Sequence, residues 1–429
     1  MQLRIKISKL IPIPLYLRTK IKRSIFYILR NIDLFEKVGI LVAKRYVQLD
    51  NSSAKAIVKN LENVEVYSLK QENEVITNSA IHVSGQNLDY IQPLIARTET
   101  QILEIRNKLF SFRNNHLLDE KMNVIEGFGG SKLKDIPIFT KMLPKKVKYL
   151  TGTVAYLSNT DTSNYYHWMC LVIPLIGIYG KFLNTKSIDY FYFGNSSLLD
   201  FHRETLNMLG IDDSKILQEA CIADRIIVGL SSRFADFASV TKFEFGLAPI
   251  VKENYLFTRN LFLNFLLPNS RNRRIYVSRG KVKRRKIINE SEVINLLLRY
   301  GFEIVSMDNK TIAEQAEMFS EASIIVAPHG AALTNLLFIQ PETCVIELIP
   351  YGYVNNCFYA LSNYGNAYYS YLQGKDTNQN NITPNKRDIF IDIDKLDFLC
   401  SKAFAMERSG LTQKQHNPLI SLSKNKNRA

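Results

Sequence analysis

A loop rich in polar residues follows a short apolar segment in the C-terminal half of the chain. The loop, APHGAALTN at 327–335, turns into a predicted helix and contains His329 and Gly330. A glycine lets backbone approach a ligand closely, and N–H groups at the start of a helix attract anions. His329 could donate to a phosphate oxygen, and Thr334 and Asn335 could bond a ribose or a base. The alternative is a tight turn in which backbone satisfies His329.

A strongly basic loop follows the first strand of the same predicted sheet. Nine of the sixteen residues at 271–286 are Lys or Arg, and none is acidic. Arg279 directly follows the strand and Arg285 precedes the next helix, so both should open onto the crevice that contains His329. Arginine binds diphosphates in a bidentate manner and needs no metal to do so. The two loops together therefore predict a pocket for a nucleotide diphosphate.

A third segment, NTDTSNYYHWMC at 159–170, leads from another predicted strand into a helix. It places Asp161, Tyr166, His167 and Trp168 near the start of that helix. Aromatic rings stack on sugars while polar groups bond the hydroxyls, and histidine can act as a general base near neutral pH. The segment predicts an acceptor-sugar site. Packing of Tyr166, His167 and Trp168 between domains is the alternative.

The spacing of apolar residues predicts the elements that position these loops. Strands are expected at 153–157, 189–194, 225–229, 273–278, 302–307, 323–327 and 344–349, and helices at 165–183, 198–210, 290–300 and from Thr311 onward. Asn289 with Glu292, and Thr311 with Glu314, resemble capping boxes. Alternating strands and helices of this kind indicate an α/β fold with two Rossmann-like domains that face a cleft.

Composition limits the classes of protein that remain. The chain has 429 residues, 46% of them hydrophobic and 22% charged, which excludes a mainly disordered, collagenous or coiled-coil protein. We expect an N-terminal acceptor-side domain at 1–255, a nucleotide-sugar-binding domain at 256–370, and a closing segment with a basic tail at 371–429. The net charge of +15 favours nucleic acid, an anionic membrane or phosphorylated small molecules as partners.

The N-terminal segment and the cysteines bear on location. Residues 1–48 hold eleven Lys or Arg and two Asp or Glu, interleaved with apolar residues. Such a segment can lie on anionic lipid or form a solvated helical face. Five cysteines without a C-x-x-C motif favour a reducing compartment, and we recognise no signal peptide. The longest apolar run, 170–179, is half of the roughly 20 residues that span a bilayer. We expect a cytoplasmic protein, at most peripheral at the inner face of the membrane.

Four segments together resemble glycosyltransferase family 61. They are NYYHW…IP (164–174), RRIYVSR…RRKIINESEV (273–293), TIAEQAEMFSEASIIVAPHGAALTNLLF (311–338) and VIELIP (345–350). The resemblance implies a GT-B fold and inverting transfer from a nucleotide sugar, usually a UDP-sugar, with no metal or other cofactor. It implies a glycan or lipid-linked glycan acceptor, and bacterial members are often associated with capsular polysaccharide or exopolysaccharide synthesis. The matching donor-side positions are Arg279, Arg285, His329, Gly330, Ala331, Asn335 and Glu347, and His167 and Trp168 match the N-terminal motif.

One position departs from the family pattern. Leu171 stands where relatives commonly have an aspartate, so His167 or Asp161 is expected to supply the catalytic base. Asp392 and Asp394 form the sole D-x-D candidate for a metal site, and we interpret them as structural. A catalytically degenerate nucleotide-sugar binder and a basic polyanion-binding protein stay open as alternatives. Nucleic acid is disfavoured because the basic stretch 271–286 contains a single aromatic residue.

Overall fold

A computed structural model describes the part of the chain that carries the predicted sheets and loops. The described residues are 45–47, 64–69, 74–76, 94–96, 100–106, 109–112, 116–118, 123–125, 148–157, 162–182, 188–193, 197–218, 221–231, 250, 252–266, 271–280, 282, 284–353, 355–379 and 381–409. The predicted base Asp161, the basic tail and nearly all of the segment 1–48 lie outside them.

The N-terminal unit is built around a mixed sheet. Twelve strands are described before residue 232: β1 (Arg45–Val47), β2 (Val64–Leu69), β3 (Glu74–Ile76), β4 (Leu94–Ala96), β5 (Thr100–Ile105), β6 (Leu109–Phe112), β7 (His116–Leu118), β8 (Asn123–Ile125), β9 (Lys148–Tyr156), β10 (Tyr190–Tyr192), β11 (Ile216–Leu217) and β12 (Cys221–Ser231). β12, β9, β10 and β11 are consecutive parallel neighbours. β5 and β6 pair with β12 in the antiparallel sense, while β3 and β4 form a separate pair. The strands predicted at 153–157, 189–194 and 225–229 are confirmed.

Helices cover this sheet and connect it to the next. Their bounds are α1 (Tyr165–His167), a π-helical turn (Trp168–Val172), α2 (Ile173–Phe182), α3 (Asp200–Met208), a 3-10 turn (Asp213–Lys215), α4 (Lys252–Leu261) and a second 3-10 turn (Leu263–Phe265). The helix predicted at 165–183 is confirmed, with the π-helical turn inside it. Gly210 follows α3 with a φ of 68°, a left-handed conformation that glycine adopts easily, so α3 ends where predicted.

The C-terminal unit contains a five-stranded sheet that is parallel throughout. Its strands are β13 (Arg273–Val277), β14 (Glu303–Val305), β15 (Ala322–Pro328), β16 (Cys344–Ile349) and β17 (Tyr368–Gln373), in the order β14-β13-β15-β16-β17. Its helices are α5 (Glu290–Arg299), α6 (Ile312–Ser320), α7 (Cys357–Tyr364) and α8 (Ile393–Ser409), with 3-10 helices at Ala331–Leu337 and Pro384–Lys386. This is the order of a doubly wound sheet, whose switch point lies between β13 and β15.

The helix caps test local sequence reasoning directly. At α6 the predicted capping box is confirmed, since the Thr311 hydroxyl accepts from the Glu314 N–H (3.1 Å) and the Glu314 carboxylate accepts from the Thr311 N–H (2.7 Å). At α5 the predicted cap by Asn289 is wrong. Its side chain instead donates to the backbone carbonyl of Ile391 and accepts from the N–H of the same residue, both at 2.9 Å.

The two units share one hydrophobic core. Apolar residues on one face of the parallel sheet, such as Ile325 and Ala327, pack in the same buried cluster as Trp168 and Leu175 of the N-terminal unit. The opposite face packs separately against α5 and α8. The boundaries placed at residues 255 and 370 fall inside α4 and β17, and α8 belongs to the C-terminal unit. No helix of the described residues is both long and apolar enough to cross a bilayer.

Candidate functional site

The loops after β13 and β15 meet at the switch point of the parallel sheet. The Arg279 guanidinium donates through Nη1 to the backbone carbonyl of His329 at 2.8 Å. A Cβ atom added to Gly330 would lie 2.9 Å from Cζ of Arg279 and closer still to Nη1. Gly330 therefore provides the space in which the guanidinium lies. The structure brings Arg279, His329 and Gly330 together as the sequence predicts.

A cluster of arginines surrounds this contact. Burial lowers the pKa of Arg279 to about 10, and the neighbouring charges of Arg285 and Arg284 act in the same direction. Burial also lowers the pKa of Arg285. Within the described residues, the buried Nε atoms of Arg279 and Arg285 have no hydrogen-bond partner. Arg285 has a φ of 58°, a conformation that is uncommon for residues other than glycine. Glu347 is the carboxylate that acts on Arg285. The partly desolvated positive charge of the two guanidinium groups is what an anionic ligand would neutralise.

The buried carboxylate of Glu347 contacts the His329 ring. Nδ1 of the ring contacts Oε1 of Glu347, while Oε2 of Glu347 accepts from the Tyr369 hydroxyl at 2.6 Å. The His329 ring packs against Tyr353 and Phe358, with ring centroids 4.9 Å apart in both cases. Glu347 is fully buried and both of its oxygens are engaged. The prediction that Glu347 contacts a donor is therefore wrong, because its carboxylate binds His329 instead.

A cleft of about 880 Å³ opens at the carboxyl ends of β13, β14 and β15. Ser278, Arg279 and Gln315 line its C-terminal-unit side, where Ala331 is also exposed. Leu198, Leu199, Tyr165 and Phe201 line the opposite side, which belongs to the N-terminal unit. Arg279 and Lys310 lie on the first wall together with Asp308, and the second wall adds the carboxylates of Asp200 and Glu204 to its apolar and aromatic residues. The volume lies within the roughly 300–1,000 Å³ typical of ligand clefts.

The two polar residues at the end of the His329 loop face the protein interior. Asn335 is fully buried, accepts from the Tyr165 hydroxyl at 2.8 Å and donates to the Gln315 side chain at 2.7 Å. Thr334 is also fully buried. The predicted contact of Asn335 with a ribose or base is therefore wrong, because both ends of its amide bond within the protein. Asn335 instead joins two side chains that line the cleft from opposite units. The contact of Thr334, whose hydroxyl has no partner among the described residues, stays a prediction.

The aromatic residues predicted to contact an acceptor are core residues. Trp168 is fully buried, donates through Nε1 to the Thr205 hydroxyl at 2.9 Å, and packs on the His202 ring at 4.3 Å. Tyr166 is buried and packs edge-on against Phe358 of the C-terminal unit. Neither ring offers a free face to a sugar, so these two predictions are wrong. Tyr166 packs between the two units, as the alternative has it, whereas the contacts of Trp168 lie within the N-terminal unit.

His167 occupies a different environment from its neighbours. It is the last residue of α1 and is half-buried, and it is not among the residues that line the 880 Å³ cleft. The adjacent Asn164 side chain accepts from the backbone N–H of Tyr166 (3.0 Å) and His167 (3.4 Å), which caps α1. The role of His167 as a base stays a prediction.

Sequence reasoning missed a buried histidine next to the cleft. Nδ1 of His202 accepts from the Leu199 N–H at 2.8 Å, so Nε2 carries the proton and donates to the Thr162 carbonyl at 2.8 Å. Burial lowers the pKa of His202, which favours the neutral form in this arrangement. His202 thereby ties the start of α3, which lines the cleft, to the loop before α1. The pairing with Thr162 spans 40 residues and has no local sequence signal.

Sequence reasoning also missed a carboxylate that connects the two units. Glu204 on α3 accepts from the backbone N–H groups of Ile312 (2.8 Å) and Ala313 (2.9 Å) at the start of α6. A carboxylate at a helix N-terminus satisfies unpaired N–H groups and complements the helix dipole. Glu204 also lines the cleft. It thus fixes the distance between the two walls.

One aspartate of the D-x-D segment, Asp392, has structural partners. Asp392 pairs with Lys375 at 3.1 Å, and its carboxylate accepts from the Lys395 N–H (3.3 Å) at the start of α8. Among the described residues there is no group of three or more His, Cys, Asp or Glu side chains that could hold a metal ion.

Comparison with known proteins shows what this region of the chain is similar to. Residues 165–346, from α1 into the first half of β16, match the family model Glycosyltransferase 61. The matched range contains both walls of the cleft, the arginine cluster and His329. The match covers less than half of the chain, and it supports a relation of this region to the Glycosyltransferase 61 family.

Individual relatives match over shorter segments. The chain is 31% identical over 86 residues to the beta-1,2-xylosyltransferase XAX1 of Oryza sativa subsp. japonica, which covers 20% of this chain and 15% of that protein. It is 36% identical over 77 residues to the human protein O-linked-mannose beta-1,4-N-acetylglucosaminyltransferase 2, covering 17% and 13%. It is 27% identical over 129 residues to the xylan glycosyltransferase MUCI21 of Arabidopsis thaliana, covering 29% and 25%. The matched segments thus span at most a quarter of these relatives.

Proposed function

We propose that this protein is an inverting, metal-independent glycosyltransferase that takes a sugar from a nucleotide diphosphate donor, specifically a UDP-sugar, and transfers it to a glycan. The observation that carries the proposal is the arginine cluster at the switch point of the parallel sheet. Arg279 and Arg285 have buried Nε atoms that lack partners among the described residues. They lie at the carboxyl edge of the sheet, where doubly wound folds bind nucleotides.

Charge and shape support this position for the donor. The diphosphate binds at Arg279 and Arg285, and the nucleoside extends into the 880 Å³ cleft. The aromatic side chains of Tyr165 and Phe201 form the apolar wall, which suits the face of a base or a sugar ring. A GT-B arrangement of two Rossmann-like domains agrees with a cleft whose walls come from both units.

The reaction requires an aligned acceptor hydroxyl, a base, and groups that stabilise the leaving diphosphate. The acceptor hydroxyl attacks the anomeric carbon from the side opposite the diphosphate, so the new C–O bond forms as the bond to the β-phosphate oxygen breaks. The base, for which His167 and Asp161 are the candidates, takes the hydroxyl proton. Arg279, Arg285 and His329 stabilise the negative charge that develops on the leaving diphosphate, the task that a metal ion performs in other transferases. Loss of one such donor typically reduces the rate by about 10²–10³.

The same proposal includes the class of acceptor and the location of the enzyme. We infer a glycan or lipid-linked glycan of a cell-surface polysaccharide, since XAX1 and MUCI21 are by name a xylosyltransferase and a xylan glycosyltransferase. A cytoplasmic enzyme whose basic segment 1–48 touches an anionic membrane fits such an acceptor.

Calorimetric titration with UDP in the presence of EDTA tests the donor site. Wild-type protein should bind UDP saturably, and Arg279→Ala or Arg285→Ala should weaken binding about 10–100-fold, because a charge-assisted hydrogen bond contributes about 1.5–3 kcal/mol. Arg299→Ala is the matched control, since Arg299 is exposed at the end of α5. Absence of UDP binding with or without added metal would refute the UDP-donor proposal. Binding that returns only with metal would refute metal independence.

A further inference from the structure

We propose that Glu347 is a positioning residue that orients His329, so that binding of the donor diphosphate draws one proton onto His329 and turns its Nε2 into a hydrogen-bond donor. This inference rests on the proposed nucleotide donor and adds a proton-coupled step to its binding. It replaces the direct contact with the donor that the family resemblance implied for Glu347.

The first observation is the orientation of the His329 ring. A carboxylate only accepts hydrogen bonds, so the Nδ1 that contacts Glu347 Oε1 carries a proton. The Tyr369 hydroxyl occupies the other carboxylate oxygen at 2.6 Å, and the sheet register places Glu347 opposite Ala327, two residues before His329. The ring cannot turn over without breaking the contact at Nδ1. Nε2 therefore faces away from Glu347, and within the described residues the His329 ring forms no other hydrogen bond.

The second observation is the position of His329 relative to the arginines. Its carbonyl oxygen accepts from Arg279 Nη1 at 2.8 Å. Arg285 interacts electrostatically with Tyr353, Cys357 and Glu347, which surround the buried His329 ring, so we infer that a diphosphate bound by both arginines lies beside that ring. In the neutral ring with a proton on Nδ1, Nε2 carries a lone pair and would face phosphate oxygens that also only accept. One proton from solvent, added to that lone pair, converts this repulsion into a charge-assisted hydrogen bond.

The surrounding charges determine when that proton is taken up. The titratable and charged groups around His329 and its partner Glu347 are Tyr369, Tyr353, Cys357, Arg279 and Arg285. Without ligand, the two arginines oppose a third positive charge. A bound diphosphate neutralises the arginines, and the imidazolium then lies between two anions, Glu347 and the diphosphate.

Calorimetry in several buffers counts the protons. UDP is titrated at about pH 7.5, where a phosphate whose second pKa is about 6 is already ionised, in buffers that differ in ionisation enthalpy. The binding enthalpy of the wild type should vary with the buffer by an amount that approaches one proton taken up per UDP. His329→Gln keeps a polar group near Nε2 but does not titrate, so its uptake should vanish.

Substitutions of Glu347 distinguish a role in orienting His329 from a general structural role. Glu347→Gln should lose at least half of the proton uptake and bind UDP about tenfold more weakly, whereas a structural defect would weaken binding without changing the uptake per UDP bound. Glu407→Gln is the matched control, since Glu407 pairs with Arg274 (2.6 Å) at the amino-end edge of the same sheet. Where Glu347→Gln does not fold, Glu347→Asp is measured instead. Its shorter side chain withdraws the carboxylate from Nδ1, and the same loss of uptake is expected.

The outcomes distinguish this inference from the proposed function. UDP binding without buffer dependence in the wild type, or a wild-type proton count in the folded Glu347 variant, would overturn the role of Glu347 and leave the donor site intact. No UDP binding by the wild type would overturn the proposed function and this inference with it. Proton uptake that is present in the wild type, absent in His329→Gln and reduced in the Glu347 variant would establish the coupling.

Discussion

Replacing Gly330 with alanine should disable the arginine site while leaving the fold intact. The added Cβ would lie 2.9 Å from Cζ of Arg279 and closer still to Nη1. The guanidinium must therefore move by at least about 0.5 Å at Cζ to reach an ordinary contact of 3.4 Å, and further at Nη1. The 2.8 Å bond from Nη1 to the His329 carbonyl breaks in that movement.

Gly330→Ala should lower the affinity for UDP and leave the free energy of unfolding nearly unchanged. The φ of Gly330 is 175°, an extended conformation that alanine adopts without strain, and Gly→Ala at a compatible position gains about 0.4–1 kcal/mol from the unfolded chain. The displaced guanidinium moves into the open cleft. We expect a change in the free energy of unfolding below about 1 kcal/mol, and UDP binding weaker by about 10–100-fold, the value of one charge-assisted hydrogen bond.

A double-mutant cycle identifies the cause. UDP affinity is measured by calorimetry for wild type, Gly330→Ala, Arg279→Ala and the double variant, and urea unfolding monitors stability. If Gly330→Ala acts by displacing Arg279, it should change little in the Arg279→Ala background. An equal loss of affinity in both backgrounds would refute the reasoning and show that Gly330 itself approaches the ligand.

Three further substitutions test the residues that position the cleft. Burial lowers the pKa of His202, so the unfolded chain binds more protons below about pH 6.5 and stability should fall there by up to about 1.4 kcal/mol per pH unit. Urea unfolding of His202→Asn should show a shallower decline between about pH 6.5 and 5.5, and an unchanged slope would contradict this. Glu204→Ala removes the carboxylate that accepts from the first two N–H groups of α6, whose own cap at Thr311 remains. It should cost about 1–2 kcal/mol of unfolding free energy, with a change near zero as the contrary result. Asn335→Leu leaves the Tyr165 hydroxyl and the side-chain amide oxygen of Gln315 without these hydrogen-bond partners. It should cost about 1–3 kcal/mol for each group left unpaired and weaken UDP binding, and full affinity with unaltered stability would argue against a link between the walls.

Local patterns predicted the elements of the parallel sheet because their determinants are local. The apolar run of β15 and the cap at Thr311 with Glu314 depend on residues a few positions apart. Asn289 has equally good capping chemistry, but its side chain bonds to Ile391, which is 102 residues away. No local pattern could predict that contact, and it occupies the side chain that was expected to cap α5.

The direction in which the site residues point was harder to predict than their position. The segment after His329 forms a 3-10 helix at Ala331–Leu337, with three residues per turn, and turns Asn335 into the interior. The contact of His329 with Glu347 was accessible in principle, because strands β15 and β16 are parallel neighbours and both residues lie near their carboxyl ends. Trp168 was misassigned because a lone aromatic residue beside polar groups suits a sugar site and a helix-packing site equally well.

The bonds that cross the cleft have a consequence for how quickly a ligand enters. Tyr165 to Asn335, and Glu204 to the start of α6, hold the two walls at a set separation before any ligand arrives. Arg259 of the connecting helix α4 donates to the carbonyls of Leu337 and Ile339, both at 2.7 Å, and adds a further tie. Entry then needs no closing movement, so diffusion and long-range attraction to the arginines set the association rate. Added salt should slow ligand entry far more than it changes ligand escape.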